Sequence, residues 1–123
     1  MTDTTKALKP ALTFLQRHIP FKQMSATHQE YLAMHLEQVF FAEKESIIQP
    51  IDGVVEYLYI VKNGCVSSKL EAGSCFPIVA LLEKRSVNTP YLAIKSTICY
   101  RLRQSHFEYL MQYSQIFHEF ITQ

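Results

Sequence analysis

The spacing of apolar residues changes twice along this chain, and that change constrains the fold more than any single motif. Up to residue 36 the spacing is helical. Leu8, Ala11, Leu12 and Leu15 recur at i, i+3, i+4 and i+7, one stripe on a helix expected over about 9–18. Pro10 suits only the first turn of such a helix, where its missing N–H costs nothing. Ile19, Pro20 and Phe21 break the pattern. A second helix is expected over about 26–36, with Leu32, Ala33 and Leu36 facing inward. Ser25 and Thr27 both qualify as its N-cap, Thr27 having Glu30 at capping-box spacing.

From about residue 38 to 102, short apolar runs alternate with turn residues. Val39, Phe40 and Phe41 form one run, and Ile47 and Ile48 the next, separated by a charged Glu43-Lys44-Glu45 turn. Pro50 to Gly53 is turn chemistry. Residues 57–61 are rich in the aromatic and β-branched types that strands prefer. Asn63-Gly64 is the strongest short-range hairpin signal, with residues 65–70 as its return strand. A short helix is expected over 78–84 and strands over 91–94 and 97–102. Helical spacing returns over about 105–122. There Ser105 and Glu108 make a capping box, Phe107, Leu110 and Met111 share a face, and Ile116, Phe117, Phe120 and Ile121 close the chain. Helices, then many short strands, then helices predict an α+β fold, one domain over 1–123 with a β-sandwich or barrel core between terminal helices.

Bulk properties exclude several function classes. A net charge of +1 lacks the basic excess of nucleic-acid or membrane-surface binders. No apolar run approaches the ~20 residues needed to span a bilayer, and the polar start lacks the apolar segment of a secretion signal. Cys65, Cys75 and Cys99 are an odd number at unclustered spacing, which suits free thiols in a reducing compartment. A cytoplasmic protein is expected. His18, His28, His35, His106 and His118 form no metal-ligand spacing, and no nucleophile motif is present, so catalysis, a metal and a cofactor are not expected.

Leu58-Tyr59-Ile60 followed by Asn63-Gly64 and Val66 resembles the L-Y-x-I-x-x-G-x-V hairpin of cyclic nucleotide-binding domains. Phe76, with Ala80-Leu81-Leu82 after it and Ala93 beyond, resembles the phosphate-binding cassette of the same family. The resemblance covers roughly residues 12–121 and implies a β jelly-roll flanked by helices. Cys75-Phe76-Pro77-Ile78 with Tyr91, Ala93 and Thr97-Ile98-Cys99 is similar to one branch of that family. There the domain lies at the N-terminus of bacterial signal-transduction proteins, ahead of CBS-pair and nucleotidyltransferase-like domains. Such downstream domains, or a second copy of the chain, are the partners this resemblance implies.

The family cassette reads F-G-E-x-A-L-L, four variable positions, then R-x-A-x-V-x-A. In this chain the Gly position is Pro77, the Glu position Ile78 and the Arg position Val87, while Asn88 and Thr89 fall beside the expected phosphate and Tyr91 replaces a small apolar residue. Pro77 has no N–H, Ile78 cannot accept from a ribose hydroxyl, and Val87 brings no charge. Hydrogen bonds to charged groups contribute about 1.5–3 kcal/mol each, so losing two weakens binding by roughly 10²–10⁴. The expected site is therefore a degenerate pocket of Phe76, Pro77, Ile78, Val79, Ala80, Arg85, Val87, Asn88 and Thr89, with Ile78 and Val87 plugging it. Binding of cyclic AMP or cyclic GMP is expected to be weak or absent.

Two alternatives stand beside this. Arg85 or Lys84 supplies the charge through a shortened loop, making a working cyclic nucleotide site. Or the terminal residues Phe107, Leu110, Ile116, Phe117, Phe120 and Ile121 make the chain an interaction or dimerisation domain. A DNA-reading helix-turn-helix, as in catabolite-activator-type regulators, is not expected in a chain that stops at Gln123.

Overall fold

Helical spacing at the two ends of the sequence produces four of the five α-helices among the described residues. The computed structural model describes residues 4–67 and 69–123. Helix α1 spans Thr4–Leu15, starting earlier than expected, so Pro10 lies in its middle rather than in its first turn. The proline ring already holds a helical φ and removes only one ladder hydrogen bond, and the helix continues through it. Ala11, Phe14 and Leu15 are buried. The side chain of Leu8 and the polar residues 1–3 lie outside the described residues.

Helix α2 is Ala26–His35, and Ser25 is its cap: the Ser25 hydroxyl accepts from the His28 N–H at 3.2 Å. Leu32 and Ala33 are buried, and so is Gln29, whose amide donates to the Phe21 carbonyl at 2.8 Å. At the other end lie α4, Gln104–Tyr113, and α5, Gln115–Ile121. Between them Ser114, fully surrounded, accepts from the Phe117 N–H at 3.2 Å and caps α5. Helix α4 starts one residue ahead of Ser105, so Ser105 sits in the first turn instead of capping it. Phe107 meets Phe117 edge to face at 5.8 Å, and Phe120 meets Phe21 at 6.3 Å. Residues up to Leu36 together with Ser105–Gln123 form one unit, and Glu37–Gln104 form the other.

The second unit carries the strands: β1 Glu37–Phe41, β2 Ser46–Ile48, β3 Tyr57–Asn63, β4 Cys75–Phe76, β5 Tyr91–Leu92 and β6 Thr97–Arg103, with helix α3 at Ile78–Glu83. All pairings are antiparallel, in one sheet of order β1-β6-β3-β4 and a second of β2-β5. Side chains from both sheets meet in one cluster that includes Phe41, Ile47, Tyr59, Val61, Phe76 and Cys99. Burial along β6 does not alternate strictly: Thr97, Cys99, Tyr100 and Leu102 are buried and Ile98 and Arg101 half-buried, so both faces of this central strand carry covered side chains.

The Asn63-Gly64 hairpin does not form. Asn63 pairs with Ile98 of β6, and the chain then leaves the sheet rather than returning along β3. The Cys65 N–H bonds the Thr97 hydroxyl at 3.2 Å, and Val66 bridges to Ala93 and to Leu70. The tight reversal therefore lies at 66–70, where Lys69 has a φ of 72°, and the neighbour of β3 is β4, with Tyr59 opposite Phe76. Gly64 is required for a different reason. A Cβ there would stand 2.5 Å from Thr97 Oγ1 and 2.8 Å from the Ser96 carbonyl oxygen. Among the described residues no helix is long and apolar enough to cross a membrane.

Candidate ligand-binding cavity

Pairing of β4 with β3 fixes Phe76 in the interior, beside Tyr59. The chain then turns at Pro77, which holds the N-cap position of α3 with no side-chain cap. Helix α3 is only six residues long and ends at Lys84, whose φ of 54° is left-handed and whose N–H bonds the Ala80 and Leu81 carbonyls. Arg85 is anchored by its backbone: its N–H donates to the Ala80 carbonyl at 3.1 Å, and its own carbonyl accepts from Val55 at 3.2 Å. Residues 86–90 then cross to β5.

This path encloses a cavity of ≈ 320 Å³. Phe76, Pro77, Ile78, Val79, Ala80, Arg85, Val87, Asn88 and Thr89 all line it, together with Leu70, Cys75 and Tyr91. Lys84 does not. Phe76, Pro77 and Ala80 are buried, Ile78 and Arg85 half-buried, and Val79, Asn88 and Thr89 exposed. Val87 is only 4% exposed. Ile78 and Val87 form walls and leave the space open, so the expected plugging does not occur.

Arg85 is the one charged residue in the lining, and its guanidinium is already engaged. Nε lies 2.7 Å from Glu83 Oε1, while Nη1 donates to the Ser86 carbonyl at 3.0 Å and to Asn88 Oδ1 at 3.3 Å. The field a ligand meets is therefore that of an ion pair rather than of a free cation. Burial pushes the Cys75 thiol up to about 12, which keeps it neutral in the wall.

An aromatic column runs through the same region. Tyr59 and Phe76 stack at 5.3 Å and 14°, and Phe76 and Tyr91 at 5.0 Å and 19°. Burial raises the Tyr59 phenol, against a lowering by Arg101. Three lining residues escaped the sequence reading of the site. Cys75 and Tyr91 stand within the motif but carry none of its expected contacts. Leu70 enters only through the reversal at 66–70, which no sequence signal announced.

No protein-family model matches the chain, and no curated protein does. Solved structures do match. The chain superposes on the regulatory domain of Toxoplasma gondii protein kinase A, co-crystallised with cyclic AMP, with a TM-score of 0.84 at 19% identity, covering 96% of this chain and 49% of that one. It matches the regulatory subunit of a cyclic AMP-independent protein kinase A from Trypanosoma cruzi bound to guanosine (TM-score 0.83, 19% identity, 99% of this chain, 47% of that one). A third match is the corresponding Trypanosoma brucei subunit, substituted Glu to Ala, Thr to Arg and Val to Ala and bound to cyclic AMP in the A site (TM-score 0.76, 18% identity, 97% and 52%). At these identities the likeness is one of fold. The chain spans about half the length of the structures it matches.

Proposed function

We propose that this chain is a regulatory module of the cyclic nucleotide-binding type, not an enzyme, whose cavity has lost its anion clamp. The observation that carries this reading is at Val87: a buried apolar side chain lines the cavity where the family cassette places its arginine, and the single cation among the described lining residues, Arg85, is paired with Glu83. Ile78 similarly offers no acceptor to a ribose hydroxyl. A buried phosphate without a paired cation is strongly disfavoured, so cyclic AMP and cyclic GMP bind weakly or not at all.

The trypanosomal structures support the comparison. The three substitutions in the T. brucei subunit are separated by seven positions and then by one, and one of them introduces an arginine. With the introduced arginine set on the cassette arginine position, Val87, the same spacing puts the other two substitutions at Ala80 and Asn88, of which only Ala80 already has the introduced residue type. On this reading the two antiparallel sheets are the two faces of a jelly roll, and the whole chain is one sensor module in the cytoplasm. Its partners are then a second copy or downstream CBS-pair and nucleotidyltransferase-like domains of a bacterial signalling protein, which sedimentation and co-expression test.

Titration calorimetry with cyclic AMP and cyclic GMP tests the reading directly. The expected result is a dissociation constant in the millimolar range or no heat. A low-micromolar constant that disappears in Arg85→Ala would favour the second reading, in which Arg85 leaves Glu83 and clamps the phosphate from the cavity wall it already lines.

A further inference from the structure

Resting on that reading of a cavity without an anion clamp, we propose that it takes an uncharged, flat, hydroxyl-bearing ligand of the purine nucleoside class. Four observations in the unit Glu37–Gln104 converge on this chemistry.

Size comes first. A volume of ≈ 320 Å³ lies at the lower end of ligand pockets, which span about 300–1,000 Å³. It suits a small metabolite and is too small for a folded partner. Charge comes second. A ligand phosphate would compete with Glu83 for Arg85, 2.7 Å away, and would meet no other cation in the lining. A neutral ligand avoids that desolvation cost.

The third observation is the flat wall. Tyr91 is the half-buried end of the column Tyr59–Phe76–Tyr91, whose rings lie within 19° of parallel at each step. Both Phe76 and Tyr91 line the cavity. A planar heterocycle entering it continues the stack, and stacking is a contact every purine can make. The fourth is the set of polar groups left over. The Thr89 and Tyr91 hydroxyls have no hydrogen-bond partner among the described residues, and Asn88 uses only its carbonyl oxygen, on Arg85. These groups can bond a sugar's hydroxyls and the edge of a base, while the apolar walls at Ile78 and Val87 face its body.

The test is calorimetry on the full chain with adenosine and guanosine, their 5′-monophosphates and cyclic AMP. At least one nucleoside is expected to bind with a sub-millimolar constant, and its 5′-monophosphate to bind about tenfold more weakly or worse. Tyr91→Ala should weaken the nucleoside by about 10–100-fold. Since that change also removes part of a core stack, Thr89→Val, at an exposed position, serves as the second variant and should weaken it by about fivefold with an unchanged melting temperature. No heat with either nucleoside overturns the proposal, and so does a monophosphate that binds as tightly as its nucleoside. Silence from every ligand sinks the nucleoside alone and leaves the lost-clamp reading standing. Tight cyclic AMP binding with no nucleoside binding sinks the lost-clamp reading itself.

Discussion

The guanidinium Nε of Arg85 lies 2.7 Å from a carboxylate oxygen of Glu83, with 37% and 58% of the two side chains in solvent. Exposed pairs of this kind contribute about 0.2–1 kcal/mol, so Glu83 occupies Arg85 without locking it. Glu83→Gln removes the competing charge and keeps the shape. Stability should change by less than about 1 kcal/mol, and cyclic AMP affinity should rise by no more than about fivefold. Calorimetry on the two proteins checks both. A rise of about a hundredfold would mean that Glu83 alone restrains a working clamp.

The complementary change restores what the cassette lacks. In Val87→Arg with Asn88→Ala, a cation stands in the cavity wall, and each bond it makes to phosphate should tighten cyclic AMP by about 10–150-fold. Without ligand, a charge at this buried position destabilises the chain by about 1–3 kcal/mol. The melting temperature should therefore fall in the double variant and recover with added cyclic AMP. A melting temperature indifferent to millimolar cyclic AMP would show that Val87 does not occupy the clamp position.

Element types were largely readable from the sequence because periodicity reports burial one face at a time: the helical stripes became helices, and most short β-branched runs became strands, residues 65–70 being the exception. Pairing was not readable. Asn63-Gly64 carries the local chemistry of a hairpin, but the long-range pairing of Asn63 with Ile98 and the bonds of Cys65 to Thr97 hold the chain on another course. Pro10 misled in the opposite sense, since a local breaker was carried inside a helix. At the cavity, the resemblance to the family cassette gathered Phe76 to Thr89 into one place. What Arg85 does there depends on a side-chain rotamer and on Glu83 two residues away, and the stacking of Tyr91 on Phe76 depends on bringing β4 and β5 together. Neither is written in residue order.

Burial pushes the Cys75 and Cys99 thiols from 9.0 to about 12, so neither supplies thiolate at neutral pH. Cys65 and Cys75 are both half-buried and Cys99 is buried, so an aromatic disulfide reagent should label Cys65 first, Cys75 slowly because its raised thiol supplies little thiolate, and Cys99 only on unfolding. The sign of the linkage follows from the direction of the shift. The folded state holds these protons more tightly than the unfolded chain, so their contribution is intact below pH 9.0 and is lost as the pH climbs toward about 12. The urea midpoint should decline over that window, and more shallowly in Cys75→Ala with Cys99→Ala. Native labelling of Cys75 as fast as Cys65 would contradict the raised Cys75 thiol.

Gly64 and Thr97 give the sharpest test of the strand crossing. Gly64 has a φ of 118°, and an added Cβ would lie 2.5 Å from Thr97 Oγ1, 2.7 Å from Thr97 Cα and 2.8 Å from the Ser96 carbonyl oxygen. Backbone strain and overpacking together should make Gly64→Ala cost about 2–5 kcal/mol in urea unfolding. Thr97→Ala alone should cost about 1–3 kcal/mol, because its buried hydroxyl donates toward the Lys95 carbonyl at 2.7 Å and accepts from the Cys65 N–H. Two of the three clashing atoms are backbone, so trimming Thr97 cannot make room. The double variant should be close to additive, with a coupling below about 1 kcal/mol. Full recovery in the double variant would mean that only the Thr97 side chain crowds Gly64. Because Gly64 delivers Val66 to its bridge with Ala93, two residues beyond Tyr91, Gly64→Ala should also loosen the aromatic wall of the cavity, read as a loss of nucleoside affinity at temperatures where the chain is still folded.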